Sequence, residues 1–265
     1  MRVRREQYEA LERARRERFE REMLAHLCEF SPRHCKVIGQ EGVLEVIRRG
    51  IDAAEPYGFV QRGPVRLYLE TMFLLGSAFD SDPQYPWALE TLTDETFFDP
   101  MDRAEILYAR LAEHLEQVAG PQNQYIIRAL RRIQKLDRQA ISRQGEPMEE
   151  TGLRLLEDCY PEKCACVGTE GLRKLIQKAQ AITEEHELPE PEGVGVLLGL
   201  MFAAGHGVAD DPLMPWVGKT LRDPCQPDAR KRLDRLESKS RTYLRAVLEH
   251  VQDGTLDTGK GAGDV

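Results

Sequence analysis

The residues whose chemistry could carry a reaction or a metal are six cysteines, six histidines and two acidic turns. The densest cysteine group is Cys159-x4-Cys164-x-Cys166. Zinc asks for two closely spaced pairs or added histidines, and the matching earlier stretch keeps only Cys35, with His34 beside it and Cys28 before it. Cys35 and Cys164 therefore read as small apolar core residues. His206, between Gly205 and Gly207, ends a very apolar stretch where small neighbours would let a ligand approach; the competing reading is a helix-end cap or surface residue. His26, His114, His186 and His250 show no spacing for a metal pair or a triad. Asp80 and Asp82, in FDSDPQYPW, are too few carboxylates for a calcium site. Nucleophile elbow, phosphate loop and HExxH are missing, and Gly193-Val194-Gly195 sits inside a helical stretch. The expectation is no catalytic residue, no metal and no cofactor: a binding protein rather than an enzyme.

The elements that must position these residues come in two copies. Shifted by 129 residues, Glu29–Asp94 falls on Asp158–Asp223 without a gap. Matched identities include Pro32/Pro161, Cys35/Cys164, Gly39/Gly168, Gly42/Gly171, Met72/Met201, Phe73/Phe202, Gly76/Gly205, Asp82/Asp211, Pro83/Pro212, Pro86/Pro215 and Trp87/Trp216. A fixed-period self-match signals tandem duplication. Each copy reads as helices: Glu41–Ala54 carries Val43, Leu44, Ile47 and Ile51 at helical spacing, and a strongly apolar helix follows from Val65 to Leu75. Gly39 and Gly168 are assigned to left-handed helix ends. Lead-in helices precede the copies (Arg4–Leu27 in the first), and Pro100–Val118 and Pro227–Val251 follow them. Ala119-Gly120-Pro121 separates the halves, and 122–141 reads as a linker helix. Asp82-Pro83 and Asp211-Pro212 read as helix starts, aspartate capping free amides and proline losing no bond. The structural reading of this motif is weighed against a partner surface anchored by Trp87 and Trp216.

Composition narrows the class. A net charge of −8 argues against a general nucleic-acid binder and fits a protein partner or a basic ligand. No apolar run approaches a membrane span, and the arginine-rich start lacks the apolar core of a secretory signal. Sparse cysteines read as reduced thiols in a cytoplasmic protein. The first helix mixes arginine with glutamate, so it reads as a solvated, ion-paired face. The linker carries Arg128, Arg131, Arg132, Lys135, Arg138 and Arg143 against Asp137 alone, which reads first as a solvated face and otherwise as one able to grip an acidic partner or nucleic acid.

The pattern Cys35-x3-Gly39-x-Glu41-Gly42, then Tyr57-Gly58, Met72-Phe73 and Gly76-x2-Phe79-Asp80-x-Asp82-Pro83-x2-Pro86-Trp87 resembles a family of uncharacterised bacterial proteins often encoded beside type VI secretion spike, PAAR and toxin genes. It covers about 60 residues of the first half and, more loosely, the second. The second copy departs from it at His186-Glu187 and Val208-Ala209. The resemblance implies a toxin, effector or spike component as partner, and an adaptor, chaperone or immunity role; it brings no catalytic residue.

The expected architecture is all-α: residues 1–120 and 121–252 as two helical lobes with long flanking helices, and 253–265 as a disordered tail. The expected partner-binding residues are Tyr57, Phe79, Asp80 and His206, where the copies differ, Trp87 and Trp216 as anchors of the repeated motif, and Arg131 and Arg132 of the linker. The alternative is a small-molecule pocket between the lobes near His206 and Asp210.

Overall fold

Apolar residues at helical spacing run through nearly the whole chain, and the computed structural model, which describes residues 5–136 and 146–252, turns them into eleven α-helices with no strand among the described residues. The protein is all-α. The expected disorder of 253–265 and the Arg138–Arg143 end of the linker lie outside the described residues.

In the first half, α1 (Arg5–Phe30) leads into α2 (Pro32–Ala54), α3 (Arg62–Leu75), α4 (Pro86–Thr93) and α5 (Pro100–Ala119). Met23 and Leu27 of α1, Val43 and Ile47 of α2, and Leu69 and Met72 of α3 build one core. In the second half, α6 (Gln124–Gln134) and α7 (Met148–Cys159) lead into α8 (Pro161–Glu185), α9 (Glu192–Ala204), α10 (Pro215–Leu221) and α11 (Ala229–Gln252). Leu175, Ile176, Leu197, Leu198, Met201 and Leu236 form the matching core. Each core borrows from the other half: Leu213 is buried in the first and Val118 in the second.

Positions 129 apart repeat their backbone geometry. Gly39 takes φ 73, ψ 166 and Gly168 takes φ 74, ψ 161. Gly76 takes φ 104, ψ 153 and Gly205 φ 96, ψ 153. Tyr85 and Met214, just before α4 and α10, stand at φ −130, ψ 55 and φ −128, ψ 53. Asp94 Oδ1 accepts from the Thr96 amide at 2.8 Å, and Asp223 Oδ1 from the Cys225 amide at 2.9 Å.

Three sequence expectations need correction. Gly39 and Gly168 do not end helices in the left-handed α region: with ψ near 160 they kink α2 and α8 in a region that is essentially glycine-only. The DP aspartates do not cap helices, because α4 and α10 begin at the second proline of the motif, Pro86 and Pro215. The linker helix is shorter than 122–141 and closes at Gln134.

Gly76 and Gly205 meet back to back. A Cβ on Gly76 would lie 2.6 Å from the Ala204 carbonyl oxygen, and one on Gly205 would lie 2.6 Å from the Leu75 carbonyl oxygen. Around Gly39 nothing lies within 4 Å. Gly39→Ala should therefore cost only the backbone strain of its φ, about 1–3 kcal/mol. Gly76→Ala or Gly205→Ala should add a steric term of similar size, reaching about 3 kcal/mol or more. Urea denaturation of the three variants measures the difference; equal losses would show that the glycine contact does not hold the lobes.

Candidate functional site

The glycine contact is the centre of a seam in which each lobe ties down the other. Asp82 Oδ2 accepts from the His206 amide at 2.7 Å, and Asp211 Oδ2 accepts from the Ser77 amide at 3.0 Å. Ser77 and His206 directly follow the glycines that end α3 and α9. Each aspartate also accepts from the amide two residues on, Gln84 at 2.9 Å and Leu213 at 2.8 Å, which turns the chain toward the next helix. Gln84 Nε2 adds a bond to the Met201 carbonyl at 3.0 Å. The DP motif is thus a two-way exchange between copies.

Beside the seam each lobe places a basic side chain between an aromatic residue of its own and one of the other lobe. Lys163 Nζ, fully enclosed, donates to the Phe202 carbonyl at 2.6 Å and the Tyr85 hydroxyl at 3.2 Å. It stands 4.8 Å from the Phe202 ring centroid and 5.3 Å from that of Tyr85, within cation–π range. The Phe202 carbonyl lies in the last turn of α9, where a cation suits the helix dipole. Burial drives the Lys163 pKa down to about 8, against the pull of Asp82. His34 holds the matching position in the first copy, with Tyr243 and Phe73 at ring distances of 6.4 Å and 5.9 Å. Its Nε2 is buried without a partner, and burial lowers its pKa. His114 packs against Tyr85 and Trp87 near Lys163; burial, then the Lys163 charge, push it down to about 4.

The expected binding residues fall at several separate places. Tyr57 and Tyr68 both donate to Asp80 Oδ2, at 2.9 Å and 2.8 Å, a knot absent from the second copy, where Ala209 replaces the aspartate. Desolvation, then Asp80, pushes Tyr57 up to about 12. Phe79 has no exposed surface and packs on Tyr68, so it offers nothing to a partner. Trp87 and Trp216 are half-buried against Tyr85 with His114 and against Tyr243, respectively, as lids on the two clusters. His206 is half-buried, its Nε2 3.4 Å from Ser81 Oγ. Arg131 is exposed, while Arg132 donates to the Asp158 carbonyl at 2.8 Å. Cys35 and Cys164 are buried, and desolvation pushes each up to about 12, so neither supplies thiolate. Among the described residues no cluster of three histidine, cysteine or acidic side chains is placed to hold a metal, and no helix is long and apolar enough to cross a membrane.

Two concave or apolar features remain. A groove of about 730 Å³ opens between the lobes, with Gly42 and Arg49 on one wall and Asp210, Pro212, Lys219 and Arg222 on the other. At the place related by the repeat the seam is closed, since a Cβ on Gly171 would lie 2.6 Å from the Pro83 carbonyl oxygen. The other feature is the tip of the first lobe. Phe98 is 95% exposed, Val60 72%, Tyr108 52% and Met101 40%. Met101 lies against Gly63, and Pro100 against Gly58, so the loop carrying Val60 meets the start of α5.

The tip is ordered by a residue that sequence reading missed. Arg103 of α5 donates to the carbonyls of Tyr57 at 2.6 Å, Asp94 at 3.1 Å and Phe97 at 2.9 Å. Arg232, 129 residues later, donates to the carbonyls of His186 and Gln226, the mates of Tyr57 and Phe97, and takes Pro227 as its third partner where Arg103 takes Asp94. The clamp is common to both copies; what it presents is not. Val60, Phe98, Met101 and Tyr108 are replaced by Pro189, Pro227, Arg230 and Glu237. Continuing the self-match past Asp94 through Asp99/Asp228 and Leu107/Leu236 reveals the arginine pair.

The buried bases make stability depend on pH in opposite ranges. Lys163 is depressed in the folded state, so the unfolded chain binds more protons between about 8 and 10.5 and stability rises with pH there. Measured against Lys163→Met, the wild type should gain up to about 1.4 kcal/mol per pH unit across that window. The lost bond to Phe202 is a pH-independent offset. His114, also depressed, contributes stability above its ordinary pKa that is lost as pH falls toward about 4. His114→Phe should flatten that acid limb in urea titrations at fixed pH.

Compared with known protein families, with curated proteins and with solved structures, the chain matches none.

Proposed function

We propose that this chain is a non-enzymatic protein-interaction module and that the tip of its first lobe is the docking face. The observation that supports it best is the difference between two otherwise matching corners. The arginine clamp recurs, yet the first copy displays Val60, Phe98 and Met101 to solvent, whereas the second carries Arg230 paired with Glu192 and Arg235 paired with Asp223. Isolated exposed apolar residues are ordinary; a rigidly held group of them signals a contact surface. In the setting implied by the resemblance, the partner is a toxin, effector or secretion-spike component in the bacterial cytoplasm, held by an adaptor, chaperone or immunity protein.

Burying a side chain such as Phe98 contributes about 1.5–3 kcal/mol. Phe98→Ser and Met101→Ser should each weaken capture of a neighbouring-gene product about tenfold or more, with the melting temperature unchanged. Arg131→Glu with Arg132→Glu should leave it intact. Calorimetry on purified pairs decides, and wild-type affinity in both serine variants removes the tip as docking face.

The groove favours a second reading, a small-molecule site between the lobes. It lies on the Asp210 side, and His206 is not among its walls. Ligand-induced shifts in Asp210→Asn and Lys219→Met, compared with wild type in a thermal-shift screen, test it; a hit insensitive to both substitutions places the ligand elsewhere.

A further inference from the structure

Resting on the docking reading, we infer that the tip takes a cationic, apolar-faced protein segment. The argument is the charge around the exposed side chains. From 94 to 105 the first copy carries Asp94, Glu95, Asp99, Asp102 and Glu105 against the single base Arg103. That base is turned inward onto three carbonyls. The matching stretch, 223–234, balances Asp223, Asp228 and Asp234 with Arg230, Lys231 and Arg232. Glu95, Asp99, Asp102 and Glu105 are exposed, and none has a basic partner among the described residues. Arg62, just beyond Val60, is held by Glu22 and lies over the Phe19 ring.

Phe98 and Met101, exposed at the start of α5, and Val60, on the loop that meets it, thus share a stretch of surface with four exposed carboxylates that have no basic partner among the described residues. An excess of one sign selects a partner of the opposite sign and raises its rate of encounter. It repels nucleic acid and anionic lipid surfaces. It also opposes a face-to-face second copy, which would set like carboxylates against each other. The loop is fixed before binding: Asp94 holds Thr96 through two bonds of 2.8 and 2.7 Å, Asp99 caps α5 through the Met101 amide at 2.9 Å, and Arg103 ties the carbonyls. A pre-ordered loop spends little entropy on docking.

The test uses the full chain and three fluorescent 14-residue peptides: leucine and lysine at helical spacing, the same residues scrambled, and leucine with glutamate. Anisotropy should show the ordered lysine peptide binding at least tenfold tighter than either other peptide. Phe98→Ser, or Val60→Ser should the first variant melt early, should weaken it about tenfold. Glu95→Gln, Asp102→Asn and Glu105→Gln together should weaken it about fivefold and flatten its salt dependence. Equal binding of the glutamate peptide, or lysine-peptide binding indifferent to both serine variants, overturns the inference. So does a dimer in sedimentation that Phe98→Ser dissolves. If a natural partner binds through Phe98 while the lysine peptide does not, this charge assignment falls and the docking reading stands; if no partner depends on the tip, both fall.

Discussion

Two carboxylates, Asp82 and Asp211, each accept an amide proton from the opposite lobe and another from their own turn. The amides they bind belong to Ser77 and His206, just past the glycines that end α3 and α9. Such amides and carbonyls must find partners once buried. The exchange supplies them and fixes how close the helix ends come, so that two glycines without side chains touch across the seam. The same approach lets Lys163 and His34 each stand between an aromatic ring of its own lobe and one of the other.

Much of this frame is written in the sequence. The helices follow from apolar spacing, and Gly39, Gly168 and the repeated DPxxPW mark where the chain turns, although the sequence assigned the glycines to helix ends and the aspartates to helix starts. What stays hidden is partnership across distance. An aspartate before proline has the same local signature whether it caps its own helix or reaches an amide more than a hundred residues away. The chain resolves the ambiguity with Pro86 and Pro215, which take the first helical position themselves. Lys163 is hidden for another reason. Its mate is His34, so a search for identities passes over it, although both are bases at one position of the repeat. Tyr57, Phe79 and Asp80 were legible as differences between the copies. Their common cause, an internal knot of two hydroxyls on one carboxylate, needed the fold.

Matching copies also separate scaffold from display. A residue present in both copies in the same role is accounted for by the frame; this holds for the DP aspartates, which make the same amide bonds in both, and for Arg103 and Arg232, which share two of their three carbonyl partners. A residue that differs while its supports do not is free to serve something outside the molecule. Phe98 satisfies that condition more strictly than Tyr57 or His206, because Arg103 and Arg232 bind the matching carbonyls of Phe97 and Gln226 just before it while the presented side chain changes.

The same logic weighs the groove against the tip. The groove exists because one of two related seams fails to close, and its charged walls are largely satisfied by each other, Glu45 with Arg49 and Asp210 with Arg222. A ligand there must displace or share those pairs. At the tip no pairing has to be broken: the apolar group is already out, the carboxylates around it have no basic partner among the described residues, and the loop beneath is tied by five hydrogen bonds to Asp94 and Arg103. Binding there gains the burial of apolar surface and the neutralisation of charge while ordering little of the protein. Desolvation cost, more than concavity, favours the tip as the place where a partner is held.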